Sequence, residues 1–479
     1  MRRLTARDAG YVYLPETMLS SRVLSCWVLA PPDGGPSGLR AADIVPLLAG
    51  RLAVDDMFGS VLRRLPGDID HPYWVLDPSA DLTDHITVHG PCGMTWPVAR
   101  RMLAEIADRP FDMARPLWSV DVVVDVDGIP GLPGLSTVLA VSFHHAAFDG
   151  IAFEERMHHL LADEPEPHRA PRPIGPIDEP WGLVVARAVA RAPLVWTRFL
   201  LVAASAVRET RRQARQAHAS RALYDRRRAL VTRFNRGLHG GRRVDFVPFD
   251  LADVDAIAGL VDGATTNDVL LSIVGGAVIR FLRSVDEAPA GSLVCLVPKT
   301  TRRRRQSGPD AGSANQFLPL TVDLHTDVDD VLERIAAIAA GSRVEKERAG
   351  TVVQSEFWRA MRIAPAPLLR LSGAVARRRN VVGDRTAVNT ELSTLVSDTP
   401  VATIASVPVV SGFGVAPLGR ETTLVHLAVI GLGRVRLSVT ADDTVLPDMP
   451  AYIRAVRASL DEHLAVVRPA GVRSGGRVE

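Results

Sequence analysis

The sequence predicts an α+β fold of two mixed sheet-and-helix units. Its 479 residues, 47% of them hydrophobic, suffice for two domains that each bury a core. A continuous apolar, β-branched run from Thr137 to Phe143 reads as a strand buried on both faces, and helical spacing follows it. Later strand-like and helix-like segments lack the regular alternation of a parallel barrel, and no internal repeat is visible.

The Thr137–Phe143 run ends in His144-His145-Ala146-Ala147-Phe148-Asp149-Gly150. Phe153, Met157, Leu160 and Leu161 then fall at i, i+4, i+7 and i+8, so the histidines and Asp149 occupy a strand-to-helix corner. Prolines 165, 167, 171, 173, 176 and 180 close the first unit, 1–180, because such density cannot continue a helix. Residues 181–243 form a basic helical linker, rich in arginine from Arg187 to Arg228. The second unit, 244–479, opens near Asp245–Phe249 and has a capped helix from about Thr266. Strands follow at Leu293–Val297 and Leu318–Leu324, a helix at Val328–Ala340, strands near Leu424–Ile430 and Val435–Val439, and a last helix near Met449–Val467.

A formal charge of +2, from 56 basic and 54 acidic residues, gives no reason to invoke nucleic acid. Cys26, Cys92 and Cys295 are widely spaced and odd in number, which indicates neither a disulfide framework nor a thiolate metal site and suits a reducing cytoplasm. Asp8 and Glu16 follow the basic start where a secretory signal would be apolar. Ala192–Val207, interrupted by Pro193 and Arg198, is shorter than the ~20 apolar residues of a membrane span, so no transmembrane helix is expected.

The corner motif carries the chemistry. His144 and His145 point to opposite faces of the strand and cannot share one role. Asp149 also suits a plain helix N-cap, with the histidines as strand-end residues. A zinc hydrolase is disfavoured, since adjacent histidines rarely converge on one ion and no second His/Cys cluster stands at ligand spacing. His158 and His159 read as solvent-facing or helix-end residues. Asn267-Asp268, at a helix start, are either ordinary first-turn residues or donors placed for a developing oxyanion. Gly275-Gly276 inside that helix suggests close packing or a chain-binding tunnel.

His144 to Gly150 resembles the signature of the CoA-dependent acyltransferase superfamily. Leu4–Tyr11, Arg109–Trp118 with its Pro116-Leu117-Trp118, Asn267–Leu271 and Thr440–Asp448 resemble, in the same order, segments of the bacterial wax ester synthase/diacylglycerol acyltransferase family. One departure stands out. The family commonly has Ser-Asn-Val-Pro-Gly-Pro where this chain has Ser397-Asp398-Thr399-Pro400-Val401-Ala402.

The resemblance implies two chloramphenicol-acetyltransferase-like lobes with a channel at their interface, and acyl transfer from acyl-CoA, a co-substrate, to diacylglycerol or a fatty alcohol without a further cofactor or metal. It assigns the base to His145, a loop-holding role to Asp149, and the substrate channel to Pro116, Leu117 and Trp118. Gly150 would give the chain room to turn. Asn267 and Asp268 would face the histidine across the interface. Arg302-Arg303-Arg304-Arg305 is a candidate clamp for CoA phosphates, with a solvated charge run as the plainer reading. The expected location is cytoplasmic, with peripheral contact at the inner membrane or a lipid inclusion through the arginine-rich helical segment. Competing readings are a lipid-surface binding paralogue that has lost turnover, and a condensing enzyme that uses carrier-bound acyl groups.

Overall fold

The computed structural model describes residues 1–14, 20–90, 93–163, 174–177, 179–219, 229–300, 315, 317–353, 356–378, 385–397 and 403–467. Arg302–Arg305 and Asp398–Ala402 lie outside these. Two six-stranded mixed sheets organise the chain. The first runs Thr403–Ile404, Val407–Val415, Arg22–Leu29, Ser136–His144, Trp118–Val126, Ile86–His89, with only the last pair parallel. The second runs Phe317–Asp323, Val294–Thr300, Thr390–Val396, Leu424–Gly431, Arg434–Asp442, Arg242–Asp250, and Thr390–Val396 is parallel to both neighbours.

Ser136–His144 is buried at every position. Because strand side chains alternate, Leu139, Val141 and Phe143 enter one core and Val138 and Ala140 enter another. The two halves interlock through Val407–Val415, which leaves the second half to pair with Arg22–Leu29. Its Phe413 stacks on Phe246 of the second sheet, centroids 4.8 Å apart, and Trp96 of helix Trp96–Asp108 meets both rings edge-on. The Trp96 indole donates to the Asp245 carboxylate at 3.0 Å, so this apolar junction also satisfies its polar atom.

Helix Thr266–Ser284 begins with a capping box in which Thr265 and Asp268 each accept from the other's backbone N–H. It buries almost every residue from Asp268 onward. The paired glycines serve close packing. A Cβ on Gly276 would lie 2.4 Å from Ser459 Oγ, and one on Gly275 would lie 3.2 Å from Leu324 Cβ. Ser459 is fully buried and already donates to the Ile273 carbonyl at 2.8 Å, so it has little room to yield. Gly276→Ala is expected to destabilise the fold by about 1–3 kcal/mol, read by denaturant unfolding, and an unchanged midpoint would contradict this packing account.

The linker forms one helix, Trp181–Ala219, that runs through Pro193. Its 29-residue portion Trp181–Glu209 is, by length and composition alone, long and apolar enough to cross a membrane, longer than the stretch Ala192–Val207 singled out in the sequence. The apolar run continues as helix on both sides of Ala192–Val207. Most of it faces outward, with Leu194, Leu200 and Leu201 at 72%, 58% and 66% exposure.

Candidate active site

The strand-to-helix corner is pinned by backbone bonds. His144 N–H donates to the Leu117 carbonyl at 3.0 Å, His145 N–H to Ser21 at 2.8 Å, and Ala147 N–H to His144 at 2.8 Å. Asp149 caps helix Gly150–Leu161 by accepting from Ala152 N–H at 2.8 Å, which is the capping role its position suggested.

The two histidines diverge in environment. His144 is buried, and its Nδ1 accepts the Ala146 N–H at 3.0 Å. Burial foremost, then the neighbouring His145 and Arg22, push its pKa down to about 3. It is a neutral ring with Nδ1 spent on its own turn. His145 is half-buried and stacks on Tyr11, centroids 4.6 Å apart and planes 11° from parallel.

The tautomer of His145 follows from its partner. His145 Nδ1 lies 2.9 Å from Asn315 Oδ1. Asn315 Nδ2 lies 2.6 Å from the His145 carbonyl and 3.0 Å from Asp8 Oδ1, two atoms that only accept. The amide is therefore oriented with its oxygen toward the ring, so Nδ1 carries the proton and Nε2 keeps its lone pair. Asp8 also accepts from Asn315 N–H at 3.1 Å, and Thr5 donates to Asp8 at 2.8 Å. A carboxylate, an amide and an imidazole thus form a chain from the first helix to the motif. Burial lowers the His145 pKa, while the Asn315 bond and the Asp149 charge act the other way.

Across the interface, strand Thr390–Val396 faces the motif. Leu392 belongs to the core of the second half, whereas Leu395, on the alternate face, sits where a Cβ on Gly150 would meet its Cδ2 at 3.3 Å. Glu391 shares that face, its charge bears on Tyr11, and burial pushes its carboxyl up to about 7. Asn267 Oδ1 accepts from Thr394 Oγ1 at 2.8 Å, and Asp268 holds Thr265. Among the described residues, the side chain of the second half that hydrogen-bonds to the His145 ring is Asn315.

Pro116, Leu117 and Trp118 are buried. Leu117 and Trp118 belong to the core of the first lobe, and the Trp118 indole donates to the Phe58 carbonyl at 2.7 Å. A chamber of about 440 Å³ opens elsewhere, against helix Gly150–Leu161 and between the two sheets. It reaches the motif at Gly150, and neither Leu117 nor Trp118 lines it. His158 and His159, half-buried in the last turn of that helix as helix-end residues, also line it. Sequence reasoning missed Asn315, Tyr11 as a ring partner, Glu391 and Glu154. Tyr11 and Asp8 fell within a segment already singled out, but nothing local marks Asn315.

The wax ester synthase/diacylglycerol acyltransferase catalytic domain description matches residues 4–270, and the C-terminal domain description of the same family matches residues 313–463. The chain belongs to the wax ester synthase/diacylglycerol acyltransferase family. A Mycobacterium tuberculosis H37Rv protein named "Putative diacyglycerol O-acyltransferase" is 26% identical over 486 residues, with 98% of each chain covered. A second from the same strain, named alike, is 27% identical over 360 residues, covering 74% of this chain and 68% of that one. Among solved structures, the wax ester synthase/diacylglycerol acyltransferase of Marinobacter aquaeolei VT8 superposes with a TM-score of 0.64 at 19% identity, covering 97% of this chain and 99% of that one. The trichothecene 15-O-acetyltransferase of Fusarium sporotrichioides gives 0.57 at 12% identity, covering 97% and 94%. The chain has their two-lobe, chloramphenicol-acetyltransferase-like fold.

Proposed function

We propose that this acyltransferase moves a long-chain acyl group from acyl-CoA to the hydroxyl of diacylglycerol, forming triacylglycerol, with wax ester from a fatty alcohol as a second product. The observation that carries the reading is His145, held by Asn315 at the lobe interface with Nε2 as its basic nitrogen. An alcohol is a weak nucleophile while protonated. His145 Nε2 takes the hydroxyl proton as the oxygen attacks the thioester carbonyl. When the tetrahedral intermediate collapses and the C–S bond breaks, the same proton passes to the CoA sulfur. No acyl-enzyme forms.

Stabilising the oxyanion needs a donor in place beforehand. Thr394 engages the Asn267 oxygen, which leaves Asn267 Nδ2 as the end suited to a carbonyl oxygen. Asp149 and Gly150 shape the corner, and His144 fixes the turn. Asp268, Pro116, Leu117 and Trp118 support these positions from the cap and the core. Arg302–Arg305 remain candidates for the CoA phosphates. The exposed apolar and basic face of helix Trp181–Ala219 supports peripheral attachment to an anionic lipid surface, where leucines insert and arginines meet headgroups. Flotation with phosphatidylglycerol vesicles checks this, since Leu194→Glu with Leu201→Glu is expected to leave most protein unbound.

Incubation with labelled palmitoyl-CoA and either diolein or hexadecanol tests the function. Labelled neutral lipid is expected. Its absence with both acceptors favours a lipid-surface protein without turnover.

A further inference from the structure

The chamber against helix Gly150–Leu161 is mostly walled by apolar side chains, among them Trp27, Phe153, Leu395, Leu427 and Val429. A saturated chain would satisfy such a wall. Polar wall residues, Glu154, Glu155, His158 and His159 among them, do not fit that occupant. Glu154, one helical turn beyond Gly150, presents a carboxyl to the chamber, and among the described residues its hydrogen-bond partner is Ser25 Oγ. Arg436, also on the wall, is turned to the carbonyls of Gly431 at 2.7 Å and Val410 at 3.2 Å. Burial pushes the Glu154 carboxyl up to about 7, and the Ser25 bond opposes that rise. Near neutrality the group can therefore donate as well as accept a hydrogen bond. An all-alkyl occupant would strip its water and return nothing, whereas a hydroxyl would pair with it.

We propose that this chamber takes an alkyl chain bearing a hydroxyl away from its reacting end, and that Glu154, held by Ser25, recognises that hydroxyl. The inference rests on the acyl-transfer reading above and adds a preference for hydroxylated chains over plain ones. The chain can belong to the acyl group or to the acceptor, and the same hydrogen-bonding chemistry applies to both.

Affinity measured without turnover separates these sources. The acceptor arm compares octadecanol with 1,12-octadecanediol, and the donor arm compares stearoyl-CoA with 12-hydroxystearoyl-CoA, each alone with the full-length protein. In one arm the hydroxylated probe is expected to bind roughly tenfold tighter than its plain counterpart, and that arm identifies the chain. Glu154→Leu should abolish the preference while leaving plain-chain binding equal or stronger, which also shows that the variant is folded. Glu154→Gln should keep part of it. Equal affinities in both arms, or the same ratio in wild type and Glu154→Leu, would overturn the proposal. A Glu154-dependent preference in a protein that makes no ester from either plain or 12-hydroxylated chains would instead sink acyl transfer and keep the chamber's hydroxyl site.

Discussion

His145→Ala is expected to lower kcat/KM for acyl transfer by roughly 10²–10⁴-fold, the usual worth of a positioned acid/base group. The change removes the nitrogen that accepts the acceptor's proton and later returns it to sulfur. It removes little of the fold, because the His145 backbone keeps its bond to Ser21 and the ring is only half-buried. Melting of the variant close to wild type, with palmitoyl-CoA and diolein turned over at a small residual rate, is the expected pair of results. Neutral lipid at the wild-type rate would remove His145 from the mechanism.

Asn315→Ala comes second, with an expected loss of about 10- to 100-fold in kcat, by analogy with partners that orient metal-ligating imidazoles through their other nitrogen. Asn315 does not touch the reacting atoms in this account; it is a positioning residue. Without its oxygen the ring can rotate and exchange tautomers, so part of the population offers an N–H where a lone pair is needed. A pH profile separates this role from mere structural support. The Asn315 bond favours the imidazolium and so raises the His145 pKa, opposing burial. Its loss lowers that pKa, and the acid limb of kcat/KM should move to lower pH while maximal activity falls. A variant with reduced activity and an unmoved limb would assign Asn315 a structural role only.

Much of the framework was legible because its signals are local. The motif strand announced itself by the continuous apolar, β-branched run Thr137–Phe143, and it is buried throughout. Helix Thr266–Ser284 was legible from Thr265, Thr266, Asn267 and Asp268 before an apolar run, and its capping box is a matter of four residues. The crossing strand Val407–Val415 was not legible. Its alternating pattern says that one face is buried but not that its partner is Arg22–Leu29, nearly four hundred residues earlier in the chain. Asn315 failed for the same reason: a lone polar residue in a polar segment acquires meaning only when folding brings it to Asp8 and His145, 307 and 170 positions away. Leu117 and Trp118 illustrate the converse. The family resemblance assigned them to the substrate channel, yet an apolar pair meets the demands of core packing equally well, and both pack in the core of the first lobe.

The pH dependence of kcat/KM for labelled palmitoyl-CoA and diolein, in wild type and His145→Ala, shows whether the transferred proton passes through His145. Because burial holds the His145 pKa below that of an ordinary histidine, wild-type activity should rise with pH through one group that titrates below about 6.5 and then stay level. The variant's residual rate should lack that limb. A limb of equal position and height in both proteins would contradict a proton passing through His145.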